Sequence, residues 1–148
     1  MVYLKNILVT TDLSRYSLAA MEHAASFGLL YASKIFLLHV VESPKGVGPA
    51  EEALSGFVER NLNSDLKLTQ VVRSGSPAEE IRRFAEGEAV DLIVMATHGR
   101  TGFQHILLGS VAEKVVRLSR VPVLTIKPGP LRGNTLKDED VETELHIR

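Results

Sequence analysis

The sequence predicts one α/β domain: an open, five-stranded parallel sheet with helices on both faces. Two observations lead there. Five short runs rich in Val, Ile and Leu recur along the chain, most of them apolar throughout rather than alternating, as strands buried on both faces are. Segments with helical spacing lie between them, so the connections are right-handed βαβ crossovers. The length of 148 residues suits one core and leaves no room for a second domain.

The elements follow in order. Asn6–Thr11 (NILVTT) reads as the first strand. Leu18, Met21, Ala25 and Leu29 give Ser17–Ala32 one apolar helical face. Lys34–Val41 (KIFLLHVV) is the second strand, and Ser43–Gly48, with its proline and glycines, is a loop. Pro49 suits the first position of a helix that carries Leu54, Phe57 and Val58. Leu66–Arg73 is a third strand, more polar and alternating, as a sheet edge is. Ser76-Pro77-Ala78-Glu79 reads as a capping box, with Ser76 and Glu79 exchanging bonds at a helix start. Val90–Ala96 is the fourth strand, Ser110–Ser119 a helix, and Val121–Ile126 the fifth strand. Pro122 lacks a donor N–H, which puts that last strand at an edge.

Composition excludes several classes of function. There is no cysteine, so disulfides, thiol catalysis and zinc–thiolate sites are out. The net charge of −1 gives no footprint for nucleic acid or an anionic membrane. No apolar stretch approaches the roughly 20 residues that span a bilayer. The N-terminus has no secretory pattern, so the expected location is the cytoplasm. His23, His105 and His146 do not form a metal-ligand spacing, and no protein metal site is expected.

In open parallel sheets ligands bind beyond the carboxyl ends of the strands, where the strand order reverses. The segments to inspect are therefore Thr10–Ser14, Val40–Ser43 and Ala96–Ser110. The last holds Gly99 and Gly102, where backbone can approach a ligand closely, and Gly109-Ser110 at a helix start, where free N–H groups attract anions. His98 and Arg100 add donors. Against this, Ser110-Val111-Ala112-Glu113 also fits a plain capping box. No G-x-x-x-x-G-K-[ST] is present, no G-x-G-x-x-G follows a strand, and no G-x-S-x-G elbow occurs.

Ile7-Leu8-Val9-Thr10-Thr11-Asp12-Leu13-Ser14, Leu37-Leu38-His39-Val40, Gly75-Ser76-Pro77-Ala78-Glu79-Glu80-Ile81 and the stretch Thr97–Glu113 followed by Val121-Pro122-Val123-Leu124 together resemble the universal stress protein family, over nearly all of residues 4–127. The resemblance implies a Rossmann-like, flavodoxin-like fold. Its ATP-binding branch has a glycine, two residues, a second glycine, nine residues and Gly-Ser. Gly99, the nine residues after it and Gly109-Ser110 match, while Ala96 stands where the first glycine would be, and Thr10 where a proline is usual.

The resemblance further implies a bound ATP or AMP, with Mg²⁺ carried on its phosphates. Asp12 and the backbone of Val40 would meet the adenosine end. Gly99, Gly109, Ser110, Val111 and Ala112 would surround the phosphates beside Ala96 and His98, and Arg100 would neutralise charge. Asp12 also suits a helix cap, Val40 plain core, and His39 a satisfied core histidine. His98 has no carboxylate near it in sequence to orient it as a base, so hydrolysis should be slow or absent and no catalytic residue is assigned. A homodimer through Val121–Ile126 is implied too, with the downstream protein partner unspecified. The alternative is an interaction module of the same fold that binds no nucleotide. Residues 128–148 lie beyond the resemblance. They read as an arm whose end, with Val141, Thr143, Leu145 and Ile147 alternating with polar residues, has strand period and suits addition to an exposed sheet edge.

Overall fold

The computed structural model describes residues 1–63, 65–97 and 108–127. The elements run β1 (Asn6–Thr10), α1 (Leu18–Tyr31), β2 (Lys34–Val41), α2 (Val47–Asn61), β3 (Leu68–Ser74), α3 (Pro77–Gly87), β4 (Leu92–Ala96), α4 (Ser110–Leu118) and β5 (Val123–Ile126). Short 3₁₀ turns, Arg15–Ser17 and Pro44–Gly46, precede α1 and α2. The five strands form one sheet in the order β3-β2-β1-β4-β5, all parallel. The arm at 128–148 and the expected strand within it lie outside the described residues.

The sheet divides the apolar side chains into two cores because successive strand residues point to opposite faces. Ile7, Val9, Ile35, Leu37 and Val94 pack with α1 and α2. Leu8, Phe36, Leu38, Ile93 and Met95 pack with α3 and α4. On the second face the Phe36 and Phe84 rings meet edge to face, centroids 5.2 Å apart.

Local chemistry explains where the elements stop. Helix α1 closes on Ala32 in a left-handed conformation, φ 53°, whose N–H bonds to the Gly28 carbonyl, as does that of Ser33. A Cβ at Gly28 would stand 2.5 Å from Ile35 Cδ1, so a larger residue there would have to displace that buried side chain. At the other end of the sheet order, Pro122 falls just before β5, and its carbonyl accepts from the Ile93 N–H at 2.9 Å. Both edges expected from sequence, β3 and β5, are edges.

Three local expectations need correction. Helix α2 begins at Val47, so Pro49 is its third residue rather than its first. A proline still costs nothing there, since the first N–H groups of a helix have no partner within it. Ser76 does precede α3, but its side chain makes no capping bond. Glu79 turns instead to Arg82, 2.6 Å away on the next turn. Likewise Gly109, not Ser110, occupies the cap of α4, and Glu113 pairs with Arg117 at 3.3 Å.

Candidate functional site

The chain leaves β1 to build outward through β2 and β3, then crosses back to β4 on the other side of β1. The connections leaving β1 and β4 therefore turn to opposite faces of the sheet, α1 to one and α4 to the other, and a cavity of about 270 Å³ opens above the strand ends. Thr10 and Thr11 end β1 at its floor, Ala96 and Thr97 end β4, and Leu38, His39 and Val40 close it from β2. Pro77 and Ile81 of α3 and Gly109, Ser110, Val111 and Ala112 of α4 form the far wall.

Asp12, Val40, Ala96, Gly109, Ser110, Val111 and Ala112, separated by up to a hundred residues in sequence, all line this one cavity. His98, Gly99, Arg100 and Gly102 lie outside the described residues.

The start of α4 is fixed to the end of β4. The Gly109 N–H donates to the Thr97 carbonyl, and the Thr97 N–H to that of Ile126. The first bond within the helix runs from the Glu113 N–H to the Gly109 carbonyl, 2.9 Å. Helical geometry leaves the Ser110, Val111 and Ala112 N–H groups without acceptors inside the helix, at its positive end and on the cavity wall. That is an anion-binding arrangement. The Gly109 N–H, already committed to Thr97, is not part of it.

Opposite stands the loop between β1 and α1. The Asp12 carboxylate accepts from the Ser14 N–H at 3.0 Å and from the Ser14 hydroxyl. This is a turn made by the aspartate side chain rather than a cap on α1. Next to it Leu13 has φ 65°, and its N–H bonds to the Thr11 hydroxyl oxygen at 3.0 Å. That oxygen is 2.7 Å from the Ser17 hydroxyl, which donates to the Ser14 carbonyl at 2.7 Å. A left-handed leucine persists only where its surroundings hold it.

Ala96 has no positive φ, so the methyl that replaces a glycine at this position brings no backbone strain. It pairs with Ile126 at the end of β4 as an ordinary strand residue. His39 is satisfied, with Nδ1 2.9 Å from the Thr11 carbonyl, but it is half-buried at the cavity rather than enclosed in the core.

Sequence reasoning missed the contribution of α3. Ser76-Pro77 looked like punctuation, and Ile81 like a core position. Both readings hold locally, yet α3 packs beside α4 on the same sheet face and so brings Pro77 and Ile81 to the rim. Met95 was hidden in an apolar strand, while Thr97 lay in the segment marked for inspection without being singled out. Among the described residues no group of His, Cys, Asp or Glu could hold a metal ion. No helix among them is long and apolar enough to cross a membrane.

Comparison with known proteins agrees with this architecture. The universal stress protein MJ0531 of Methanocaldococcus jannaschii is 37% identical over 139 residues, spanning 83% of this chain and 82% of its own. The solved structure of MJ0577, whose curated sequence is also a universal stress protein of that organism, superposes with a TM-score of 0.68 at 34% identity, covering 90% of this chain and 100% of its own. Two further structures share the fold: a universal stress protein in complex with cAMP (TM-score 0.64, 23% identity, 85% of this chain and 98% of its own) and one from Archaeoglobus fulgidus in complex with dAMP (0.65, 20%, 86% and 100%). The profile of the Universal stress protein family matches residues 4–127, the whole sheet with all four helices, and the chain belongs to that family.

Proposed function

We propose that this protein binds an adenine nucleotide, ATP or AMP, in the cavity above β1 and β4, and acts as a regulatory protein rather than as a fast enzyme. The observation that carries the reading is the meeting of two unlike walls. One is the first turn of α4, with its N–H groups directed to an anion. The other is the Asp12 loop with the end of β2, which offers a carboxylate and main-chain groups suited to ribose and base. The cAMP and dAMP complexes of proteins with this fold support the class of ligand. Mg²⁺, where present, would ride on the phosphates.

In this reading the N–H groups of Ser110, Val111 and Ala112 take the phosphates beside Gly99 and Arg100. Asp12 and the backbone of Val40 take the adenosine end. Ala96 lines the cavity between them, and His98 is assigned to the same ligand by the family resemblance alone. Hydrolysis is slow or absent, and turnover at ordinary enzyme rates of roughly 1 per second or more would refute that part. We extend the proposal to a cytoplasmic homodimer paired through β5, which is an edge strand among the described residues and whose Val123, Leu124 and Ile126 are only half-buried. A monomer by light scattering at tens of micromolar would refute the dimer.

Calorimetry of ATP and AMP against the protein and its Gly109→Val variant tests the site. Gly109 has φ −65° and ψ 163°, which any residue adopts, so the variant should fold normally. It should lose binding because a branched side chain then stands at the helix start. Unchanged affinity would remove the site from α4. No binding by either protein would leave an interaction module of the same fold.

A further inference from the structure

What holds the Asp12 loop in place lies on a different strand. His39, on β2, has its Nδ1 2.9 Å from the Thr11 carbonyl oxygen. A carbonyl only accepts, so Nδ1 carries the proton and donates. Leu37 belongs to the α1–α2 core and Leu38 to the α3–α4 core, so alternation puts His39 on the α1–α2 side of the sheet, next to where α1 begins.

Thr11 is thereby held at every polar atom. Its N–H donates to the Leu38 carbonyl at 3.0 Å, and its carbonyl accepts from His39. Its hydroxyl accepts from the Leu13 N–H and meets Ser17. The bond from His39 acts on the carbonyl of the Thr11–Asp12 peptide, whereas the other two act on the preceding peptide and on the side chain. Beyond that peptide come Asp12, on the cavity wall, and Leu13, left-handed at φ 65°.

We propose that His39 is a positioning residue for the nucleotide site: by holding the Thr11 carbonyl through Nδ1–H, it sets where Asp12 stands in the cavity. Without that bond the peptide turns more freely, and a ligand must order the loop as it binds. The binding consequence rests on the nucleotide reading above; the effect on the loop does not.

Three variants separate this role from general stability. His39→Asn puts an amide donor near the position of Nδ1, His39→Gln puts it one bond farther out, and His39→Leu removes it. Two quantities are read: amide hydrogen exchange at Leu13 and Ser14 in the ligand-free protein, and AMP affinity by calorimetry. In the Gln and Leu variants both amides should exchange on the order of ten-fold faster and AMP affinity should fall by a similar factor, the worth of about one hydrogen bond. His39→Asn should restore both. Combining Asp12→Asn with His39→Leu should cost no more affinity than the larger single change, since both act through one contact.

Unchanged exchange at Leu13 and Ser14 in the Gln and Leu variants would overturn the proposal, as would an Asn variant impaired as much as the Leu variant. If His39→Leu does not fold, the Gln–Asn comparison decides. If AMP binds none of the proteins, the original included, the nucleotide reading fails and the exchange data alone decide on His39.

Discussion

Replacing Ser17 by alanine tests how the Asp12 loop is built. Ser17 is 4% exposed, and its hydroxyl lies between the Thr11 hydroxyl and the Ser14 carbonyl, 2.7 Å from each. The carbonyl can only accept, so Ser17 donates to Ser14 and Thr11 donates to Ser17. The Thr11 oxygen in turn accepts from Leu13 at 3.0 Å, which makes one directed chain. In Ser17→Ala two bonds vanish, and the Thr11 hydroxyl, in a residue 7% exposed, is left without its acceptor. The Ser14 carbonyl keeps the Ser17 N–H at 3.2 Å. Two net bonds at about 1 kcal/mol each give a loss of about 2 kcal/mol. For a domain of this size that lowers Tm by roughly 4–8 °C. Urea denaturation followed by circular dichroism measures it. Adding Thr11→Val to Ser17→Ala should cost less than the two single changes summed, because the orphaned hydroxyl is then gone. A loss under about 0.5 kcal/mol for Ser17→Ala, within the range of an ordinary surface change, would refute the directed chain.

Other consequences follow from the same geometry. Ala32 and Ala89 sit at φ 53° and 49° after α1 and α3, where glycine is the usual residue. Relief of about 1–2 kcal/mol of left-handed strain, less about 0.5–1 kcal/mol of glycine chain entropy, predicts a gain of about 0.5–1 kcal/mol for Ala32→Gly and for Ala89→Gly. Thermal unfolding checks both, and a lower Tm in either would contradict the assignment of that cap. The Arg82 guanidinium, hydrogen-bonded to Glu79, holds its carboxyl below the ordinary glutamate value despite an opposing contribution from burial. A lowered carboxyl pKa contributes stability above the unfolded value that is lost as pH falls through the folded one. Glu79→Gln should therefore flatten the acid limb of the stability curve slightly, an effect that added salt also removes. An unchanged limb would show the pair to be without consequence.

The fold was legible because its signals are local and repeated. Runs such as KIFLLHVV at Lys34–Val41 have one reading, and the last strand is the edge expected of it, although it begins at Val123, after Pro122. What sequence could not supply was competition between local partners. Ser76-Pro77-Ala78-Glu79 has the residues of a capping box, but Arg82 lies one turn along and takes the glutamate. Asp12 has the chemistry of a cap, yet α1 starts after Ser17, and the Asp12 carboxylate instead takes Ser14 two residues on, in a turn of its own. The site was legible where it followed strand ends and the α4 start. It was hidden where it depended on packing: Pro77 and Ile81 reach it only because α3 and α4 share a sheet face. His39 looked like core because its neighbours Leu37 and Leu38 are core. Its place beside Thr11 depends on the parallel register of β1 and β2, which no single segment encodes.

The central claim is that the native protein holds an adenine nucleotide between α4 and the Asp12 loop. Mass spectrometry of small molecules released by heat from freshly purified protein addresses it most directly, paired with thermal unfolding in added ATP and AMP. AMP or ATP is expected in the released fraction. Stability should also rise by about 2.7 kcal/mol at a hundred times Kd, since a ligand bound only by the folded state stabilises it. No released nucleotide, together with an unchanged Tm in millimolar ATP and AMP, would contradict it.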